Sequence, residues 1–306
     1  MQTKRKKRNG LRTFGIFLLV AIFFAILWMG AALYEKVAGY SRTAMVAEAD
    51  IPAEDPASLR SSPALPEEDY PDDGSSPSLR YPDVALNTYD TNGFFREGPF
   101  RRYVDEKSAA GVDVSSHNGV IDWPSVKAAG ADFALLRAGY RGYTEGQLQA
   151  DSQFSQNLSG ARDAGLQLGV YFFSQAVTAD EAEEEAQFVL SLLGGAMLEY
   201  PIFFDWEDME QTARTDGMDS ITLTACAKAF CETVEAAGYH AGIYFNQNFG
   251  YQEFDLSELK DYTFWLAEYA DVPTFTYDFA VWQYSNTGTL DGIPEKVDLN
   301  LAFRKQ

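Results

Sequence analysis

From Gly111 onward, short apolar runs rich in β-branched and aromatic residues alternate with longer stretches of helical spacing. The strand-like runs are GVDVS (111–115), FALLRAGY (133–140), LGVYFFS (168–174), PIFFDWE (201–207), AGIYFN (241–246), FWLAEY (264–269), FAVWQYS (279–285) and VDLNLAF (297–303). Several intervening stretches read as helices. DSQFSQNLSGARDAG and DSITLTACAKAFCETVEAAG close on a glycine suited to a helix C-terminus. TADEAEEEAQFVLSLLG opens on a threonine cap with acids in its first turn. The connections after the fifth strand are short or poorly helical.

Near-continuous apolar strands alternating with helices predict a parallel sheet covered on both faces. Eight of them predict an α/β fold, a modified TIM-like β/α barrel with fewer than eight helices. A doubly wound open sheet is the alternative. No glycine-rich phosphate loop follows an early strand, which weakens a nucleotide-binding reading.

Upstream the pattern changes. Residues 1–12 hold Lys4, Arg5, Lys6, Lys7, Arg8 and Arg12 and no acid. Residues 13–34 hold no charge, over the length a helix needs to span a bilayer. This predicts a single-pass membrane anchor with the basic segment in the cytoplasm and the bulk of the chain outside. A cleaved signal peptide would have a shorter apolar region. Residues 35–80 are acidic and rich in Pro and Ser, which predicts a disordered stalk. Residues 81–110 contain NGFFREGPFRRYVDE, aromatic enough to pack as a leader on the barrel of residues 111–306.

Charge and rare residues narrow the chemistry. The net charge of −21 conceals the basic start, so the rest of the chain is more acidic still. Such a body repels nucleic acid. Cys226 and Cys231 fall five apart in one helix and read as small buried apolar groups. The two histidines, His117 and His240, supply neither a His-rich metal site nor a Ser-His-Asp triad. No metal or organic cofactor is expected, and the catalytic domain is expected to be monomeric.

The acids at strand ends carry the candidate chemistry. Asp205 and Glu207 close an apolar strand, where a buried carboxylate is costly unless something compensates. Side chains alternate along a strand, so the two share one face, and Phe204 and Trp206 take the other. Asp113 lies near the end of the first strand. Asp298 lies in the eighth, next to the first after closure, and shares its face with Asn300. Four carboxylates at one mouth raise at least one pKa by mutual repulsion. A protonated acid beside an ionised one is the pair that general acid catalysis on a glycosidic bond requires. Sugars also favour aromatic platforms, and Tyr140, Tyr171, Tyr244, Trp265, Trp282 and Tyr284 are the candidates.

GVDVSSHNGVIDW, DFALLRAGYRGYTEG, GVYFFS, FFDWE, IYFN, FWLAEY, VWQYS and VDLNLAF occur in this order. Together they resemble glycoside hydrolase family 25, the Chalaropsis-type muramidases, over residues 111–303. The resemblance implies a barrel short of helices and cleavage of the β-1,4 bond between N-acetylmuramic acid and N-acetylglucosamine in peptidoglycan. It places the family's acids on Asp113, Asp205, Glu207 and Asp298, with Glu207 as catalytic acid. It also implies that Tyr171 and an aromatic of WQY line the sugar cleft. Which of Trp282, Gln283 and Tyr284 faces the sugar stays open. So does the choice among retaining, inverting and substrate-assisted mechanisms, the last being favoured. The rival expectations are a non-catalytic wall-binding module and a wall-sugar deacetylase on the same barrel.

Overall fold

A computed structural model describes residues 80–104, 108–209 and 212–303. The basic segment, the apolar run at 13–34 and the stalk, apart from Arg80, lie outside the described residues. Among the described residues no helix is long and apolar enough to cross a membrane.

A short hairpin comes first, β1 (Phe94–Glu97) and β2 (Phe100–Tyr103). The barrel strands are β3 (Ala109–Val114), β4 (Phe133–Arg141), β6 (Gln167–Ser174), β7 (Ile202–Trp206), β8 (Ala241–Asn246), β9 (Thr263–Ala267), β10 (Val281–Gly288) and β11 (Val297–Ala302). They pair in the order β3, β4, β6, β7, β8, β9, β10, β11, and β11 returns to β3, so the barrel is closed. A small strand, β5 (Leu148–Ala150), adds to β4. The eight strands coincide with the eight apolar runs.

One expectation is corrected. The sheet is not wholly parallel, because β11 runs antiparallel to both β10 and β3. A period-two pattern reports which face a residue takes and is silent on strand direction.

Six α-helices are described for the eight strands. They are α1 (Trp123–Ala128), α2 (Phe154–Asp163), α3 (Ala179–Leu193), α4 (Ser220–Ala236), α5 (Gln247–Gln252) and α6 (Leu256–Leu259). In α3 the Thr178 side chain accepts a hydrogen bond from the Glu181 N–H, and Gly194 ends the helix at φ 56°, a left-handed conformation. In α4 Asp219 caps the start by accepting from the Thr222 N–H at 2.7 Å.

Alternation splits the core into two shells. Phe133, Leu135, Tyr171, Phe203, Tyr244, Trp265 and Val281 fill the barrel interior. Two glycines make room for that filling. A Cβ on Gly111 would meet the Phe133 ring at 2.6 Å, and one on Gly242 would meet the Phe203 ring at 2.5 Å. The outer shell packs residues such as Phe204, Trp206 and Phe230 between sheet and helices.

No helix joins β9 to β10 or β10 to β11 among the described residues. The leader covers that bare wall instead. Tyr89 stacks on Phe303 with ring centroids 3.8 Å apart, and its hydroxyl donates to the Phe279 carbonyl. Phe94 meets Trp282 edge-on at 5.4 Å. Tyr81 donates its hydroxyl to the Phe254 carbonyl at 2.7 Å. The leader therefore substitutes for the missing helices, completing the outer shell.

Candidate active site

The strands deliver the four acids to one end of the barrel. In β7, Phe203 faces the interior, so Asp205 does as well, and Glu207 follows on the same side just past the strand. The intervening residues point outward, Phe204 toward Phe230 of α4 and Trp206 toward Phe249 of α5. In β3, Ala109 faces in, which brings Asp113 inward too. In β11, Ala302 faces in, and so do Asn300 and Asp298. Because β11 is reversed, its beginning lies at the rim where the parallel strands end. Asp298 there pairs in register with Asp113.

Asp113 anchors a polar network. One carboxylate oxygen accepts from the Gln283 amide at 2.9 Å and from the Asn300 amide at 2.6 Å. Asn300 in turn accepts from the Trp265 indole N–H at 2.8 Å. The Gln283 amide oxygen accepts from two phenols, Tyr244 at 3.0 Å and Tyr269 at 2.9 Å. The arrangement fixes the orientation of the Gln283 amide, since the oxygen must face the phenols and the nitrogen must face Asp113.

The two phenols report where the acids are. Burial pushes the Tyr244 phenol well above the ordinary tyrosine range, with further contributions from Tyr269, Glu207, Asp205 and Asp113. Burial does the same to Tyr269, assisted by Asp298, Glu207 and Asp113. Tyr244 thus feels the charges of Glu207, Asp205 and Asp113, and Tyr269 those of Asp298, Glu207 and Asp113. Asp113 and Asp205 are buried, whereas Glu207 and Asp298 are half-buried and face the opening. The Tyr269 residue is 38% exposed, so its ring forms part of the accessible rim while its hydroxyl reaches the network.

The main chain at Glu207 is held from behind. Gln175, fully buried after β6, donates its amide to the Glu207 carbonyl at 3.1 Å. Gln175 accepts from the Thr215 hydroxyl at 2.9 Å, and its own carbonyl accepts from Arg214 at 3.2 Å. Arg214 is fixed by a two-pronged pair with Glu181 at 2.7 and 2.9 Å. Among the described residues no group of three or more His, Cys, Asp or Glu is arranged to hold a metal ion.

The profile of glycosyl hydrolases family 25 matches residues 112–293, more than half of the chain. The chain belongs to glycosyl hydrolases family 25. It is 27% identical over 191 residues to the autolytic lysozyme of Clostridium acetobutylicum, covering 62% of this chain and 54% of that protein. It thus spans about half the length of that relative. It is 29% identical over 219 residues to lysozyme M1 of Streptomyces globisporus, covering 66% of this chain and 71% of that protein. Among solved structures it is similar to the bacterial lysozyme of Streptomyces coelicolor, at a TM-score of 0.52 and 26% identity over 64% of this chain and 92% of that one.

The family match starts inside β3, so the leader and its hairpin lie ahead of it. That segment decides the fate of two aromatic candidates. Trp282 and Tyr284 are outer-shell residues, buried beneath the leader. The Trp282 indole N–H donates to the Glu268 carbonyl, and the Tyr284 hydroxyl accepts from the Arg101 N–H at 2.9 Å. Their expected place on the face of the four acids is corrected, because alternation gives that face to Gln283. Tyr171, Tyr244 and Trp265 do face inward. Trp265 is fully buried and packs against Tyr244 at 4.6 Å and Tyr171 at 5.7 Å, forming the floor of the family 25 barrel mouth. Tyr140 sits at the end of β4, its hydroxyl donating to Gln149 and its ring 5.5 Å from the Arg137 guanidinium.

Sequence reasoning did not assign roles to Gln283, Tyr269, Gln175 or Arg137. Arg137 forms a buried pair with Asp151 at 2.9 Å. The nearest available signal was FWLAEY followed by VWQYS, two strand ends whose last polar residues converge once the barrel closes.

Proposed function

We propose that this chain is a peptidoglycan hydrolase that cleaves the β-1,4 bond between N-acetylmuramic acid and N-acetylglucosamine. One observation carries the reading: strand alternation and register bring Asp113, Asp205, Glu207 and Asp298 to the same open end of the barrel. The named relatives that are lysozymes support the same substrate.

In this reading Glu207 is the general acid. It is the half-buried member of the pair on β7, so a glycosidic oxygen can reach it, and the Gln175 bond fixes its main chain. Asp205, two residues earlier and buried, orients the acetamido group of the substrate. The acetamido oxygen attacks the anomeric carbon as Glu207 protonates the leaving oxygen, and water later opens the resulting oxazolinium ring. Asp113 is a positioning residue, held by Gln283 and Asn300. Asp298 adds negative charge at the rim, where an oxocarbenium-like transition state carries positive charge. Tyr171, Tyr244 and Tyr269 offer aromatic surface to the sugars. The chemistry needs no metal or organic cofactor.

Digestion of purified peptidoglycan followed by mass spectrometry tests the assignment. The wild type should release fragments with N-acetylmuramic acid at the reducing end. Glu207→Gln should lose at least about 100-fold in rate, the scale of general acid catalysis. Reducing-end N-acetylglucosamine, or a fully active Glu207→Gln, refutes it. Proton NMR of the first-formed anomer tests the substrate-assisted route, which requires retention.

The uncharged run at 13–34 and the acidic stretch after it support a further part of the proposal. The protein is held in the bacterial membrane and trims the wall of its own cell, within reach of the stalk, as a monomer. Abundant soluble protein in the culture medium would contradict that placement.

A further inference from the structure

We infer that the leader hairpin builds a second binding site beside the acid cluster, one that takes an anionic substituent of the glycan strand. The inference rests on the peptidoglycan reading above and extends it.

A cavity of about 640 Å³ lies between the hairpin and the adjoining rim. Its size falls among small-ligand sites, about 300–1,000 Å³. Arg96 and Arg101 come from the hairpin, Tyr269 and Asp271 from the loop after β9, and Tyr284 and Asn286 from β10. Tyr269 is the link to the chemistry. Its ring lines this cavity, while its hydroxyl donates to the Gln283 amide that also holds Asp113. A polymer seated over the acids therefore continues past Tyr269 into this space.

The lining is basic in a protein of net charge −21. Arg101 is committed, since it pairs with Asp271 and lies over the Tyr284 ring at 5.8 Å. Arg96 is exposed and has no ion-pair partner among the described residues. In the same wall the Asn286 amide nitrogen is buried and finds no acceptor among the described residues. A guanidinium and an amide N–H on one wall suit an oxyanion. The chemistry is shared by two substituents of a glycan strand, a stem-peptide carboxylate and a phosphate ester on the sugar. Both arginines precede the residues that the family 25 profile matches.

The test uses the full chain with soluble glycan strands that carry both substituents. Arg96→Glu should raise KM about tenfold and leave kcat within about twofold, and added salt should shrink the difference. Thermal melting checks that the exposed substitution leaves the fold intact. Enzymatic removal of the stem peptides that abolishes the Arg96→Glu effect identifies the carboxylate. Removal of phosphate that abolishes it identifies the phosphate. An Arg96→Glu enzyme with unchanged KM overturns the inference and leaves the peptidoglycan reading standing. So does an equal KM defect on strands stripped of both substituents. A wild type that cleaves none of these strands overturns both.

Discussion

Asp298 lies directly across from Asp113 in the ladder between β11 and β3. Like charges directly opposite each other in a sheet are destabilising. A fold left to optimise stability alone would not keep them. Asp298→Asn should therefore raise the thermal midpoint while lowering kcat on peptidoglycan about tenfold or more. Melting curves and reducing-end release measure the two effects on one sample. A variant that is less stable and equally active contradicts the assignment of Asp298 to the site.

Gln283 and Trp282 are neighbours in sequence with opposite duties. Gln283→Leu removes a donor from buried Asp113 and the acceptor of two phenols. It should cost about 1–3 kcal/mol of stability and lower kcat at least tenfold. Trp282→Phe should also cost stability, through the lost bond to the Glu268 carbonyl, yet leave kcat within about twofold. Denaturant titration with kinetics on both variants separates a site-facing residue from a shell-facing one.

Glu185 gives a pH signature away from the site. It is fully buried in α3, and burial pushes its carboxyl up to about 7 despite its 2.7 Å pair with Arg141. The folded state thus holds this proton more tightly than the unfolded chain, whose carboxyl titrates near 4.5. The group's contribution to stability is complete below about 4.5 and is lost as pH rises through about 7. Glu185→Gln should flatten the fall in stability across that window. Arg141 keeps other acceptors there, Glu184 and the Glu181 carbonyl. Urea denaturation at a series of pH values checks it, and an unchanged slope refutes it.

Tyr89→Ala tests the leader as a structural wall. The substitution removes the stack on Phe303 and the bond to the Phe279 carbonyl, and should cost about 1–3 kcal/mol. A chain beginning at Ser108, just ahead of β3, should consequently be less soluble than one beginning at Arg80. Thermal melting and sedimentation of the two compare them directly.

What was legible in the chain follows from which forces are local. Eight strands could be read because each buried strand is a nearly unbroken apolar run. The faces of β7 and β11 followed from alternation, which is why Asp205, Glu207, Asp298 and Asn300 grouped correctly. The face of β10 did not follow. Trp282, Gln283 and Tyr284 are all compatible with either side until the leader is known to cover Trp282. The hairpin itself was hidden, because FREGPFRRY carries too many arginines to alternate cleanly and draws its burial from a wall far away in sequence. The reversal of β11 left no trace either, since an apolar strand reads alike in both directions.

The strap across the bare wall also sets an order of events. Tyr89 is synthesised early, but the surface it rests on, Phe279 and Phe303, is synthesised long afterward. Until the last strand slots in beside the first, the Tyr89 ring lacks its Phe303 partner. The seat of Tyr89 is thus complete only when the barrel is closed, and a barrel left open leaves that end of the strap loose.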